Sequence, residues 1–307
     1  MEKFFVISED QVNAHLDHNE LLNAVNTALI DLSAGAVTQP LRAVIPIPQQ
    51  SAWFGLMPAV YRDVIGAKLV TVFPGNVSKG LESHQAVIQL FDFETGVPLA
   101  TVAGRTITAW RTAAASALAT RALARPDARV LAILGSGVQA RTHAFMLRLV
   151  RNFEQIRVWS RTPANAARFA AEIGGEVMTA KQAVRDADVI VTVTHSFEPV
   201  LRGEWIAEAA HINAVGAVGL HARELDDSAM RESAVVVESR QAAMNEAGDI
   251  VHSGAPIYAE LGEILSGSKP KPQSRHTVYK SLGVAVEDVA VARLIYRKFL
   301  ASHAAQL

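Results

Sequence analysis

Apolar residues along the chain follow two successive regimes. Leu21, Leu22, Val25, Leu29 and Leu32 recur at helical spacing, which predicts a helix over 18–32. Before it, Ser8 followed by Glu9 and Asp10 reads as the N-cap of a shorter helix. From 41 to 103 the pattern becomes short apolar runs cut by Pro and Gly, at 41–45, 52–57, 67–73, 86–91 and 98–102. The segment Phe91-Asp92-Phe93-Glu94-Thr95-Gly96 between the last two has hairpin chemistry, so this part predicts an antiparallel, largely β arrangement. An Ala-rich helix over 108–123 stops before Pro126. Short Val/Ile/Leu runs at 129–134, 156–159, 188–193, 211–215 and 234–237 then alternate with helices at 138–150 and 163–173. That alternation predicts an α/β fold with a doubly wound parallel sheet. A surface loop is expected over 266–274, and an amphipathic helix over 286–300 closes the pattern.

Composition adds boundaries to this picture. The 307 residues amount to about two domains, and with half of them hydrophobic and 19% charged the chain can bury a core. Lys and Arg number 29 against 30 Asp and Glu, so the basic footprint of a nucleic-acid binder is missing. Cysteine is absent, which excludes disulfides, thiolate metal sites and a Cys nucleophile. The start, Met1-Glu2-Lys3-Phe4-Phe5-Val6, has no apolar signal core, and no apolar run reaches membrane-spanning length. A soluble, cytoplasmic protein is expected.

The sharpest local signal is Gly135-Ser136-Gly137-Val138-Gln139-Ala140, between a predicted strand and a predicted helix. In that setting Gly135 permits a tight turn, Gly137 lets backbone N–H groups approach a pyrophosphate, and Ala140 allows close helix–strand packing, with the helix N-terminus favouring the phosphate charge. This predicts a dinucleotide site. At the end of the next strand an NAD site usually carries an acid, but here the residues are Ser160-Arg161-Thr162. Ser160 can hydrogen-bond a 2′-phosphate and Arg161 can pair with it, which favours NADPH over NADH. The alternative is that Arg161 is a solvated loop residue.

Three cations lie among apolar or small residues: Arg42 in the run 41–45, Lys68 after Gly66-Ala67, and Arg111 after Thr108-Ala109-Trp110. Each either reaches solvent, pairs with a structural carboxylate, or converges with the others on an anionic ligand. The ten histidines lack metal-site spacing. His211 reads as structural, and His84 and His195 as surface histidines on loops able to face a cofactor. Trp53, Phe54 and Trp110 read as core or pocket wall. Glu260 and Glu263 read as a solvated face, Asp226 and Asp227 as capping, and the arginines at 121, 125, 129, 141, 148 and 151 as ordinary surface.

At this point the chain resembles the ornithine cyclodeaminase/μ-crystallin family. The resemblance rests on Gly66-Ala67-Lys68, the segment from Arg111 through Ala117, the Gly135 loop, His211-Ile212-Asn213-Ala214-Val215-Gly216-Ala217 and Glu224-Leu225-Asp226-Asp227. The tail, Tyr258-Ala259-Glu260-Leu261-Gly262-Glu263 and the stretch from Lys280 through Asp288, is similar to the μ-crystallin (ketimine reductase) branch. The resemblance implies a Rossmann-type dinucleotide-binding domain over 113–287. It also implies an α+β domain over 1–112, joined by the helix 288–307, that binds substrate and forms a homodimer.

By the same likeness Arg42, Lys68 and Arg111 hold a substrate carboxylate, with Lys68 and Arg111 catalytic and Leu282 beside the substrate. Ser83, Arg111, Gly135, Gly137, Val138, Gln139, Ser160, Arg161, Thr162, Thr194, Val215, Ser281 and Gly283 are the implied cofactor residues. The cyclodeaminases carry an Asp where this chain has Val218, and their following Pro-Gly-Lys is replaced by Leu220-His221-Ala222. Ornithine cyclisation moves protons at two nitrogens, work for a positioned acid or base that Val218 cannot do. The expected activity is therefore NADPH-dependent reduction of cyclic ketimine acids such as 1-pyrroline-2-carboxylate or 1-piperideine-2-carboxylate to the L-amino acid. Ornithine cyclodeamination, reductive amination as in alanine dehydrogenases, and a NADPH-binding protein without turnover are the alternatives. The expected partners are a small imino or amino acid and a second copy of the chain, with no nucleic acid, membrane or metal.

Overall fold

A computed structural model describes residues 4–304 of the chain. It divides into two compact units, one formed by the residues up to Arg111 and from Val284 onward, the other by Thr112–Gly283.

The first unit is built on a six-stranded sheet in the order Phe5–Ile7, Pro98–Ala103, His84–Asp92, Val64–Val72, Ala52–Tyr61, Ala43–Ile47. All neighbours pair antiparallel except Phe5–Ile7, which runs parallel to Pro98–Ala103. In Val64–Val72 buried and part-buried residues alternate, the mark of a strand with one covered face. That face holds Val64, Gly66, Lys68, Val70 and Val72. The helix Ala285–Ala304 packs on it and on the helix His18–Ser33. Gly66 makes the approach possible, because a Cβ there would lie 2.7 Å from a methyl of Val289. The expected cap at Ser8 is present: its hydroxyl accepts from Gln11 N while Gln11 returns the bond to the Ser8 backbone, which opens the helix Glu9–His15.

The second unit is an eight-stranded, wholly parallel sheet. Its order is Glu176–Val177, Gln155–Trp159, Val130–Leu134, Val189–Thr192, His211–Ala214, His276–Lys280, Ser233–Val237, Ile257–Glu260. This is the doubly wound Rossmann-type arrangement, with the order reversing at Val130–Leu134. Three of these strands, Glu176–Val177, Ile257–Glu260 and His276–Lys280, escaped the sequence pattern. His276–Lys280 lies inside the sheet, all five residues buried, but its residues His-Thr-Val-Tyr-Lys contain almost nothing that reads as an apolar run.

Other expectations are corrected. Arg42 precedes its strand, which begins at Ala43, and is half-buried. Glu260 and Glu263 are not a solvated face: Glu260 N donates to Glu263 Oε2 at 2.7 Å to cap the helix Leu261–Leu265, and Arg240 pairs with Glu263 at 2.6 Å. Arg151 is not ordinary surface either. Its guanidinium donates to the carbonyls of Thr120, Arg121 and Ala124, each at 3.1 Å, satisfying the end of the helix Arg105–Leu123. Asp226 is a cap, accepting from Ala229 N at 2.9 Å. Among the described residues no helix is long and apolar enough to cross a membrane.

Candidate functional site

Two groups of candidate residues emerge, one in each unit. In the first, the strand Val64–Val72 turns Lys68 toward the covered face, where it is 2% exposed. Its Nζ donates to Asp288 Oδ2 at 2.6 Å. Arg111, 4% exposed, donates from Nε to Asp288 Oδ1 at 3.0 Å and from Nη1 to Glu287 Oε2 at 2.7 Å. Both acids belong to the first turn of the helix Ala285–Ala304, where the helix dipole favours negative charge.

Burial is the main force on Lys68, and the Arg111 and Arg42 charges add to it; Asp288 opposes them, leaving the amine pushed down to about 8. For Asp288 burial works upward, but Arg111 and Lys68 outweigh it and hold the carboxyl below its ordinary value. The cluster is thus two buried cations bridged by one carboxylate, with a second acid on Arg111. Of the alternatives open at the sequence level, pairing with structural carboxylates is realised for Lys68 and Arg111. Glu287 and Asp288 were visible only as part of a family likeness. Their position between Val286 and Val289 was the usable signal, since acids set among apolar neighbours in a helix are buried with a partner.

In the second unit five adjacent parallel strands end side by side, and the residues that follow each end include almost every expected cofactor residue. Val130–Leu134 leads to Gly135, Gly137, Val138 and Gln139; Gln155–Trp159 to Ser160, Arg161 and Thr162; Val189–Thr192 to Thr194; His211–Ala214 to Val215; His276–Lys280 to Ser281, Leu282 and Gly283. This is the edge where open α/β sheets bind ligands. Ser83 belongs to the first unit, one residue ahead of the strand His84–Asp92, with its hydroxyl 3.1 Å from His84 Nδ1.

The local geometry suits a dinucleotide. Gly135 has φ +135°, and a Cβ there would lie 2.8 Å from the Val193 carbonyl oxygen, so only glycine fits. A Cβ on Gly137 would meet no described atom within 4 Å, which leaves its backbone open to a ligand. Gly137 is also the N-cap of the helix Val138–Arg148 and supplies no side chain to the first N–H groups, so these remain available to a phosphate. Gln139 Oε1 is buried without a hydrogen-bond partner among the described residues. Ser136 donates to Ser160 at 2.8 Å, joining the glycine loop to the strand tip where no acid stands. Arg161 beside it is exposed.

The histidines sort as structural or peripheral. His211 is buried, with Nδ1 2.9 Å from Thr277 Oγ1 and Nε2 3.3 Å from Asn213 Oδ1, and burial pushes it down to about 3. His195 is exposed and its ring packs against Phe197. Sequence reasoning missed three buried acids beneath the strand ends. Glu224 accepts from Thr194 N at 2.6 Å, Thr194 Oγ1 at 2.7 Å and Gly216 N at 2.7 Å. Asp249 pairs with Lys280 at 3.0 Å. Glu238 accepts from Ser281 Oγ at 2.8 Å.

Known proteins share this architecture along nearly the whole chain. Ketimine reductase mu-crystallin of Mus musculus is 45% identical over 299 residues, covering 94% of this chain and 96% of that protein. Delta(1)-pyrroline-2-carboxylate reductase of Bacillus cereus is 36% identical over 312 residues, covering 95% and 96%. The structure of Thermococcus litoralis Delta(1)-pyrroline-2-carboxylate reductase, in complex with NADH and L-proline, superposes with a TM-score of 0.92 at 37% identity, covering 97% of this chain and 98% of that one. The sequence matches the ornithine cyclodeaminase/mu-crystallin family over residues 2–303, and the chain belongs to that family.

Proposed function

We propose that the protein is an NADPH-dependent reductase of cyclic ketimine carboxylic acids, forming the L-amino acid. The observation that carries this reading is the buried Lys68–Arg111 pair held by Asp288 and Glu287. Two cations kept in place without solvent form a preorganised receptor for a carboxylate, and Arg42, close enough to act on Lys68, adds a third positive charge. The three charges hold the substrate by its carboxylate and thereby orient C2 and the ring nitrogen. A cyclic ketimine is basic enough to arrive as an iminium, so no strong acid is needed to activate it. When bound, the reduced nicotinamide supplies the hydride for C2. Lys68, with its amine near 8, then returns a proton from Nζ to the neutral ring nitrogen and regains one from solvent.

In the second unit the backbone of Gly135, Gly137 and Val138 with Gln139 receives the pyrophosphate, and Ser160, Arg161 and Thr162 take the 2′-phosphate. Thr194, Val215, Ser281, Leu282 and Gly283 line the nicotinamide half. Val218, an apolar and partly exposed residue, favours reduction over ornithine cyclodeamination. The L-proline bound in the Thermococcus litoralis reductase, and the ketimine and pyrroline-2-carboxylate reductases among the relatives, support the same reading.

The protein acts as a homodimer through its first unit. The sheet face opposite Lys68 carries Ala43, Leu56, Leu69 and Val87 in one cross-strand row, with Ile45 and Phe54 in the next. Ile45 is 56%, Val87 40% and Leu56 37% exposed, an apolar surface that a second copy would cover.

The test is NADPH oxidation followed by absorbance, with 1-pyrroline-2-carboxylate, 1-piperideine-2-carboxylate, and pyruvate plus ammonia offered separately, and NADH run beside each. Rapid oxidation with a cyclic imine and little with pyruvate is expected. Silence on the imines with ammonia release from ornithine would overturn it.

A further inference from the structure

The end of the strand His276–Lys280 is held from both sides. Tyr279 and Ser281 project to one face and Lys280 to the other, as strand alternation requires. On the second face Lys280 Nζ, fully buried, donates to the Ala217 carbonyl at 2.6 Å and pairs with Asp249 at 3.0 Å. On the first face stands Glu238, the residue after the strand Ser233–Val237, 1% exposed. Its Oε1 accepts from Tyr279 Oη at 2.9 Å, Ser281 Oγ at 2.8 Å, Leu282 N at 3.1 Å and Gly283 N at 3.1 Å, and Oε2 also accepts from Leu282 N at 3.1 Å.

Every one of these donors is neutral. Two hydroxyls and two successive backbone N–H groups converge on the buried carboxyl group, an anion nest closed by Gly283 at φ +71°. The segment therefore wraps around the carboxylate, and its backbone course depends on where that carboxylate lies.

We propose that Glu238 is a positioning residue for cofactor binding: its carboxylate sets the backbone of residues 281–283 in the shape that receives the nicotinamide half. This rests on the reading above that those residues face the nicotinamide. Glu238 itself touches the loop and acts through it. The role belongs to the placement of the acceptor oxygen more than to its charge, since four of the five bonds end on Oε1.

Two substitutions separate these features. Glu238→Gln keeps an acceptor oxygen at the same reach and removes the charge; Glu238→Asp keeps the charge and withdraws it by one methylene. NADPH affinity is measured by fluorescence titration without substrate, and amide exchange over 281–283 by mass spectrometry of the cofactor-free protein. Glu238→Asp is expected to speed exchange in this segment and to weaken NADPH binding roughly tenfold, the effect of loosening charged hydrogen bonds. Glu238→Gln is expected to stay within about threefold of the native protein. In steady state the Asp variant should raise the KM for NADPH and leave the KM for the carboxylate substrate unchanged, a split that general destabilisation does not produce. Native exchange and native affinity in the Asp variant would overturn the proposal, as would a Gln variant weaker than the Asp one. A native protein that fails to bind NADPH refutes the cofactor reading instead, and the exchange measurement still reports whether Glu238 shapes the loop.

Discussion

Replacing Asp288 by Asn preserves the side-chain shape and removes the charge that Lys68 and Arg111 share. Lys68 Nζ lies 2.6 Å from one carboxylate oxygen and Arg111 Nε 3.0 Å from the other, with all three side chains buried. Removing one partner of a buried pair costs about 3–5 kcal/mol, because the remaining charge stays desolvated. Arg111 keeps Glu287 at 2.7 Å, so the larger burden falls on Lys68. That amine has a second outlet in losing its proton. Asp288 is the main interaction opposing burial at Lys68, so in its absence the pKa moves down from about 8.

Two measurements follow. Guanidinium unfolding should show a loss of about 3 kcal/mol at neutral pH. On the proposed function, the profile of kcat/KM against pH should fall through about 8 in the native protein, where Lys68 gives up the charge proposed to hold the substrate carboxylate. In the variant that fall moves to lower pH. The linkage sign agrees: the folded pKa of Lys68 lies below the unfolded value of 10.5, so its cost to stability is full below about pH 8 and is relieved as pH rises toward 10.5. In Asp288→Asn the relief begins earlier. An Asp288→Asn protein with a native unfolding midpoint and a native alkaline limb would refute the coupling argued here.

Arg161→Ala should raise the KM for NADPH by about tenfold or more while leaving that for NADH nearly unchanged, as expected when a charged hydrogen bond to a 2′-phosphate is lost; equal effects on both cofactors would remove the basis for NADPH preference. Mild acid should destabilise the fold through His143 and His211, which burial pushes down to about 4 and about 3. Below pH 6.5 the unfolded chain takes up protons that these two buried rings refuse, so each contributes up to about 1.4 kcal/mol of lost stability per pH unit. Denaturant midpoints measured at pH 7.5, 6 and 5 check this, and His143→Gln should flatten the slope.

Features governed by neighbouring residues were legible in the chain itself. The Ser8 cap, the helix His18–Ser33 and the glycine turn at Gly135 all appear where the pattern placed them, because caps, helical faces and positive φ angles are decided within a few residues. The same holds for the strand ends that carry Ser160 and Arg161. The likeness to a family extended that reading to Lys68 and Arg111, yet it did not reveal what holds them. Lys68 and Asp288 are 220 positions apart, and only folding the helix Ala285–Ala304 across the sheet brings them together.

The strand His276–Lys280 shows the same limit. Its polar residues look unsuited to a sheet interior until the fold supplies Glu238, Asp249 and the Ala217 carbonyl as partners. A local pattern records which residues avoid water. Which buried charge meets which counter-charge depends on strand order and helix docking, and those are settled only when distant segments compete to bury surface and satisfy polar groups together.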